Sequence, residues 1–200
     1  MVDNRTLREN SRMQLGNNIF ANAWLAIAVV GLAYSAILSA LSSTFVGLIL
    51  LGGPLTYGFY RVLIGAANSK KVDLNDMVSG FTESFGNSLV LYLLQTLFTA
   101  LWSLLFIIPG IVKSYSYAMA MYIQQDNPER EARECLQESM IMMDGYKWQL
   151  FCLDLSFIGW YLLGSLCFGI GVFFVTPYHE LARTNFYLAL KAQLDGEIQA

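Results

Sequence analysis

Apolar residues gather into long runs along this chain, and polar residues fall into a few short stretches between them. The first run, 20–43 (FANAWLAIAVVGLAYSAILSALSS), exceeds the roughly 20 residues that cross a hydrocarbon core about 30 Å thick. It is too long for a signal-peptide core and has no clear small-x-small cleavage site, so it reads as a retained span. Within it Gly31, Ser35, Ser39 and Ser43 recur every four residues, which predicts a small-residue face for close helix packing. A second run, 45–65, contains Gly52-Gly53-Pro54. Pro54 has no N–H to give and crowds the previous turn, so a kink is expected there. Such a break either frames a binding site, as in transporters, or simply bends the helix for packing.

The third run, 88–108, ends at Pro109-Gly110, which reads as the turn of a helical hairpin, with a fourth span at 111–124. Lys113 then sits about one turn inside the returning helix, roughly 5 Å from its start. From there its stem reaches the interface; the alternative is a ligand contact shared with Tyr115 and Tyr117. The last apolar region, 148–190, is too long for one crossing and divides near Gly169 and Gly171 into spans at 148–167 and 171–190. A single crossing at 154–178 is the competing division.

The polar stretches have patterns of their own. Residues 3–18 place Leu7, Met13 and Leu15 among basic and polar residues, as in a short helix at a membrane surface. In 66–87, Leu74, Met77, Val78, Phe81 and Phe85 fall on one face of a short amphipathic segment. In 128–145, Ala132, Cys135, Leu136, Met140 and Met143 recur at three- and four-residue steps opposite acids and arginines, with Asn127 as N-cap and Pro128 at the first helical position. The expected fold is all-α: a polytopic membrane bundle of about six transmembrane helices with interfacial amphipathic helices. It forms a single domain over 1–200, with an N-terminal interfacial helix at 1–19 and cytoplasmic connections at 66–87 and 125–147.

Composition agrees with this picture. The chain is 56% hydrophobic and 14% charged, against about 25% charged residues in soluble domains. A net charge of −3 gives no support to nucleic-acid binding. Cys135, Cys152 and Cys167 show neither CxxC spacing nor matching histidines, so no zinc site or disulfide framework is expected. The positions of the basic residues change more. In the six-span arrangement Arg5, Arg8, Arg12, Lys70, Lys71, Arg130, Arg133, Lys147 and Lys191 share one side, which places both termini in the cytoplasm. Five spans would put Arg183 and Lys191 outside.

Charges within the apolar runs are the best candidates for chemistry, because hydrocarbon makes them costly unless paired or hydrated. Asp154 lies about seven residues into the fifth span, and Arg183 reaches a similar depth on the sixth, each roughly 10 Å from the cytoplasmic side. An Asp154–Arg183 ion pair is expected, joined by Glu180, His179 and Arg61. It either lines a hydrated vestibule for a polar ligand or proton, or fastens spans two, five and six together. His179-Glu180 is not part of an HExxH motif, and no GxSxG elbow, P-loop or dinucleotide fingerprint is present. No catalytic residue, metal or cofactor is expected, and the chain reads as a non-enzyme.

Two functions follow. The polar cluster handles or transports a lipid or small polar molecule; alternatively, the bundle anchors an adaptor or protective protein whose helix at 128–145 recruits a protein partner. Membrane lipids are partners in either case, at about 1 kcal/mol for each well-placed Lys or Arg. Self-association stays open.

The phrases IIPGIVKSYSYAMAMYIQQDNPE, ECLQESMIMMDGYKWQLF, DLSFIGWYLL, the GIG turn and TPYHELARTNFY, taken in this order, resemble the bacterial multi-pass membrane family called domain of unknown function 975. The basic N-terminal helix leading into the first span is similar too, so the likeness extends over nearly the whole chain. The resemblance implies an all-helical protein of the cytoplasmic membrane and transfers no catalytic residue.

Overall fold

The computed structural model describes residues 3–16, 22–42, 45–68, 72, 74–105, 107–166 and 170–198. Ser43, Lys70, Lys71, Cys167 and Gly169, and with them the turns expected near 43 and 169, lie outside the described residues. The described residues are mostly helical, with no strand among them. In chain order the helices are α1 (Asn4–Gln14), α2 (Asn22–Ser42), α3 (Phe45–Ala67), α4 (Ser79–Thr82), α5 (Phe85–Leu105), α6 (Ile107–Ser116), α7 (Ala120–Asp126), α8 (Ala132–Met142), α9 (Lys147–Leu166) and α10 (Ile170–Ile198). A single 3₁₀ segment, Leu74–Val78, leads into α4. Three helices are long and apolar enough to cross a membrane, over Ala23–Ala40, Phe85–Leu104 and Lys147–Leu166. The other expected spans are helical as well, and the fourth is split between α6 and α7.

The chain divides into two compact units. The first comprises residues 1–32, 62–72 and 148–200. Here α1 docks on α10 with Leu7, Ser11 and Leu15 buried and Met13 turned outward. An amide pair holds it: Asn185 Nδ2 donates to Ser11 Oγ at 2.9 Å and Gln14 Oε1 at 2.7 Å, while Gln14 Nε2 donates to Asn185 Oδ1 at 3.2 Å and the Ala67 carbonyl at 2.7 Å. Gly16, with φ of 93°, ends the helix through its N–H to the Met13 carbonyl. Pro177 lies inside α10, where a proline loosens the preceding turn; the Trp24 indole donates to the Phe174 carbonyl there at 2.9 Å.

Gly171 was expected to break the chain, but it sits in the first turn of α10. A Cβ on it would stand 2.5 Å from the Gly164 Cα, so it serves a backbone-to-backbone crossing of α9 and α10. Along the stripe on α2, a Cβ on Gly31 would meet nothing within 4 Å, and Ser35 and Ser39 are exposed.

The second unit comprises residues 33–61 and 73–147. Here α3 runs helical through Gly52-Gly53-Pro54, and those glycines work by letting other segments approach rather than by interrupting the helix. A Cβ on Gly53 would fall 2.5 Å from the Ser88 carbonyl of α5, and Gly58 and Gly80 are blocked by the backbone of Met77 and Pro54. The expected Pro109-Gly110 turn is likewise helical. Pro109 and Gly110 are in the first turn of α6, where a missing N–H costs no helical bond, and Gly110 packs 2.7 Å (as a notional Cβ) from the Ser103 Cα on α5. Asn127 caps the C-terminus of α7, and α8 begins only at Ala132, so Asn127 and Pro128 form the connection rather than the start of the helix. The Pro128 carbonyl accepts from Ser84 Oγ and Asn87 Nδ2 at 3.0 and 3.1 Å. Of the short face expected at 74–85, Met77 is buried while Val78, Phe81 and Phe85 are exposed.

Candidate functional site

In the first unit α9 and α10 bring polar side chains together within otherwise apolar helices. His179 Nε2 lies 2.8 Å from Asp154 Oδ1, and Arg183 Nε lies 3.6 Å from the same oxygen. His179 and Arg183 are four residues apart, hence on one face of α10. On the other side of the imidazole, Nδ1 is 3.1 Å from the Tyr161 hydroxyl. Tyr161 stands seven residues beyond Asp154, two helical turns along the same face of α9. The buried Phe157 ring between them packs on the His179 ring at a centroid distance of 4.7 Å and fixes its plane.

This arrangement assigns the protons consistently. With Nε2–H donating to the carboxylate, Nδ1 accepts from the Tyr161 O–H, so a continuous chain runs from phenol to imidazole to carboxylate, with a guanidinium at its end. The side chains of Asp154, His179 and Arg183 keep 19%, 14% and 26% of their exposure, which leaves the chain partly open to solvent or ligand. Such a set can hold an anionic or hydrogen-bonding group and can pass a proton along its length.

Of the expected members, Asp154, His179 and Arg183 come together. Glu180 occupies the next position on α10 and enters no ion pair among the described residues. Arg61 belongs to the second unit, where its guanidinium pairs with Glu83 and with Asp76 at 3.7 Å. That correction has a simple cause: Arg61 lies near the end of α3, beside the connection 74–83, and acids in the connection meet it first. Lys113 is half-buried with Nζ over the Trp102 ring at 5.3 Å and the Tyr117 ring at 6.0 Å, so aromatic faces solvate its charge. Tyr117 is buried beneath it, and Tyr115 is half-buried on α6.

Two features escape a reading based on charge. Tyr161 is one, since a tyrosine in a span is ordinary; its seven-residue offset from Asp154 is the signal. The other is a polar stripe on α5, Tyr92, Gln95, Thr96, Thr99 and Ser103, which follows helical spacing and lines a cavity in the second unit. Among the described residues no three His, Cys, Asp or Glu side chains converge as for a metal ion. Cys135 is buried on α8, and burial pushes its thiol pKa up, which leaves it a poor nucleophile.

The fold and the paired charges define an all-helical protein with helices long and apolar enough to cross a membrane. Residues 106–194 match the model of the family described as protein of unknown function DUF975. The match begins at 106, so the similarity expected in the N-terminal half is not part of it. No curated protein and no solved structure matches the chain.

Proposed function

We propose that this is a multi-pass protein of the cytoplasmic membrane that moves or handles a lipid or small polar molecule through the Tyr161–His179–Asp154–Arg183 chain. The supporting observation is the two-sided engagement of His179, to Tyr161 at 3.1 Å and Asp154 at 2.8 Å, with Arg183 beside the same carboxylate. A pair that only fastened two helices could be replaced by apolar packing at no loss of stability. Four linked polar groups on two facing helices, partly accessible, are better matched to a passing polar group. In this reading α2, α3, α5, α6 with α7, α9 and α10 make six crossings, and both termini are cytoplasmic, on the side of nine of the twelve Lys and Arg residues.

The test is reconstitution into vesicles, with bilayer movement of a fluorescent phospholipid and osmotic flux of small solutes as readouts. Asp154→Asn with Arg183→Gln, which removes both charges together, is expected to lower the active readout at least tenfold while the protein stays monodisperse and helical. Activity surviving that double change, with loss of function on replacing the exposed Arg133, Glu134 and Gln137 of α8, would favour the adaptor reading with a protein partner at 128–145.

A further inference from the structure

The second unit contains a cavity of about 470 Å³, within the range of small-molecule sites. One wall is the polar stripe of α5, Tyr92, Gln95, Thr96, Thr99 and Ser103, all on a helix whose segment Phe85–Leu104 is long and apolar enough to cross a membrane. The stripe extends over eleven residue steps, roughly 16 Å of helix, which is about half of a hydrocarbon core. Polar groups over such a length are costly against lipid unless something satisfies them. Opposite it stand Tyr34 and Thr56, whose hydroxyls meet at 3.0 Å, and Ser114 of α6.

The chemistry of the walls selects the ligand. Every polar lining residue is a neutral hydroxyl or amide, and the remaining lining residues are alanine and methionine. Lys113, next to Ser114 in sequence, is turned onto the Trp102 ring. An ion entering the cavity would find no counter-charge, so its desolvation would go unmatched. An apolar molecule would offer no partner to the Tyr92, Gln95 and Thr99 side chains of the α5 stripe. Hydroxyls and amides both donate and accept, and they are matched by a neutral molecule that does the same at several points.

We propose that this cavity binds a neutral polyhydroxylated group, supplied either by a free polyol or sugar or by the headgroup of a neutral glycolipid. The site is built from the second unit alone and does not depend on the function assigned to the charged chain of α9 and α10.

The full chain in nanodiscs gives the test. One arm measures equilibrium binding of radiolabelled sorbitol and glucose. The other measures retention of monoglucosyl diacylglycerol by native mass spectrometry, against phosphatidylcholine as control. Saturable binding is expected in one arm and identifies the source. Gln95→Leu with Thr99→Val, which makes α5 more apolar and so no worse as a span, is expected to weaken it at least tenfold. Thr99→Ser, which keeps the hydroxyl, is expected to stay within about twofold, and Asp154→Asn with Arg183→Gln is expected to leave it unchanged. The milder pair Thr96→Val with Ser103→Ala provides the same comparison should the first variant fail to fold. No saturable binding in either arm, undiminished binding in the apolar variants, or displacement by choline or phosphate at lower concentration than by sorbitol overturns the proposal.

Discussion

At the scale of single residues, an exposed carboxylate at the start of α1 makes the clearest prediction. Asp3 caps α1: its carboxylate accepts from the Arg5 backbone N–H at 3.2 Å and from the Thr6 hydroxyl at 3.2 Å. The Arg5 N–H is the main reason its pKa lies below the ordinary value of 3.8. A depressed carboxyl pKa adds helix stability that is fully present above the ordinary value and is lost as pH falls through the lowered one. The protection of amides 4–7, meaning exchange corrected for its intrinsic dependence on pH, is therefore expected to be unchanged from neutral pH down to about 4 and to fall below it. Asp3→Asn keeps an acceptor and should remove that pH dependence, whereas Asp3→Ala should speed exchange at every pH. Single residues also show what the sequence reveals most readily. Asp154 and Arg183 stand out because a charge in an apolar run is rare, and equal depth from one membrane face pairs them. Tyr161 and Gln95 do not, because uncharged polar residues are common in spans and gain meaning only once neighbouring helices are in place.

At the scale of elements, the α6–α7 junction carries the most instructive departure from the sequence reading. An unbroken crossing from 111 to 124 is the simplest inference from apolar letters, yet the helix stops at Ser116 and resumes at Ala120. Broken backbone in an apolar interior needs substitute partners. Ser139 of α8 supplies them: its hydroxyl donates to the Ser116 carbonyl at 2.8 Å and accepts from the Met119 N–H at 3.2 Å, and Ser116, Met119 and Ser139 are all buried. Periodicity cannot expose this, since the supporting group comes from another element 20 residues away. Removing it with Ser139→Ala leaves two buried backbone groups unpaired and is expected to cost about 2 kcal/mol. The check is a lowered melting temperature together with faster exchange at 117–120, while exchange in α9 is unaffected. The glycines teach the same lesson. Gly53, Gly110 and Gly171 are conspicuous in the sequence as breakers, but the same missing Cβ also permits close helix crossing, and only the packing decides between the two.

At the scale of the whole molecule, the number of crossings decides where every charged segment lies. The apolar pattern locates the helices well: each expected span but the fourth, which is divided between α6 and α7, falls on one long helix, although among the described residues three are long and apolar enough to be counted as spans on those grounds alone. Length excludes α6 and α7, at 10 and 7 residues, and His179, Glu180 and Arg183 interrupt α10. Basic residues supply the independent argument, because they are retained on the cytoplasmic side. Six crossings leave only short segments near 43, 109 and 169 on the outer face, while α8 with its exposed Arg133 and Glu134 stays inside. Ile108 is 75% exposed at the α5–α6 hairpin and Asp144 is exposed just after α8, so cysteines placed there report opposite sides. In a background where the three native cysteines are serine, Ile108→Cys is expected to react with a membrane-impermeant maleimide in intact cells. Asp144→Cys should react only after permeabilisation, and so should a cysteine added after Ala200. If the C-terminal thiol reacts from outside while Asp144→Cys stays protected, α9 and α10 make one crossing. Asp154, His179 and Arg183 would then no longer lie on two adjacent spans at matching depth, and the premise of a shared intramembrane site would fail with the even number of crossings.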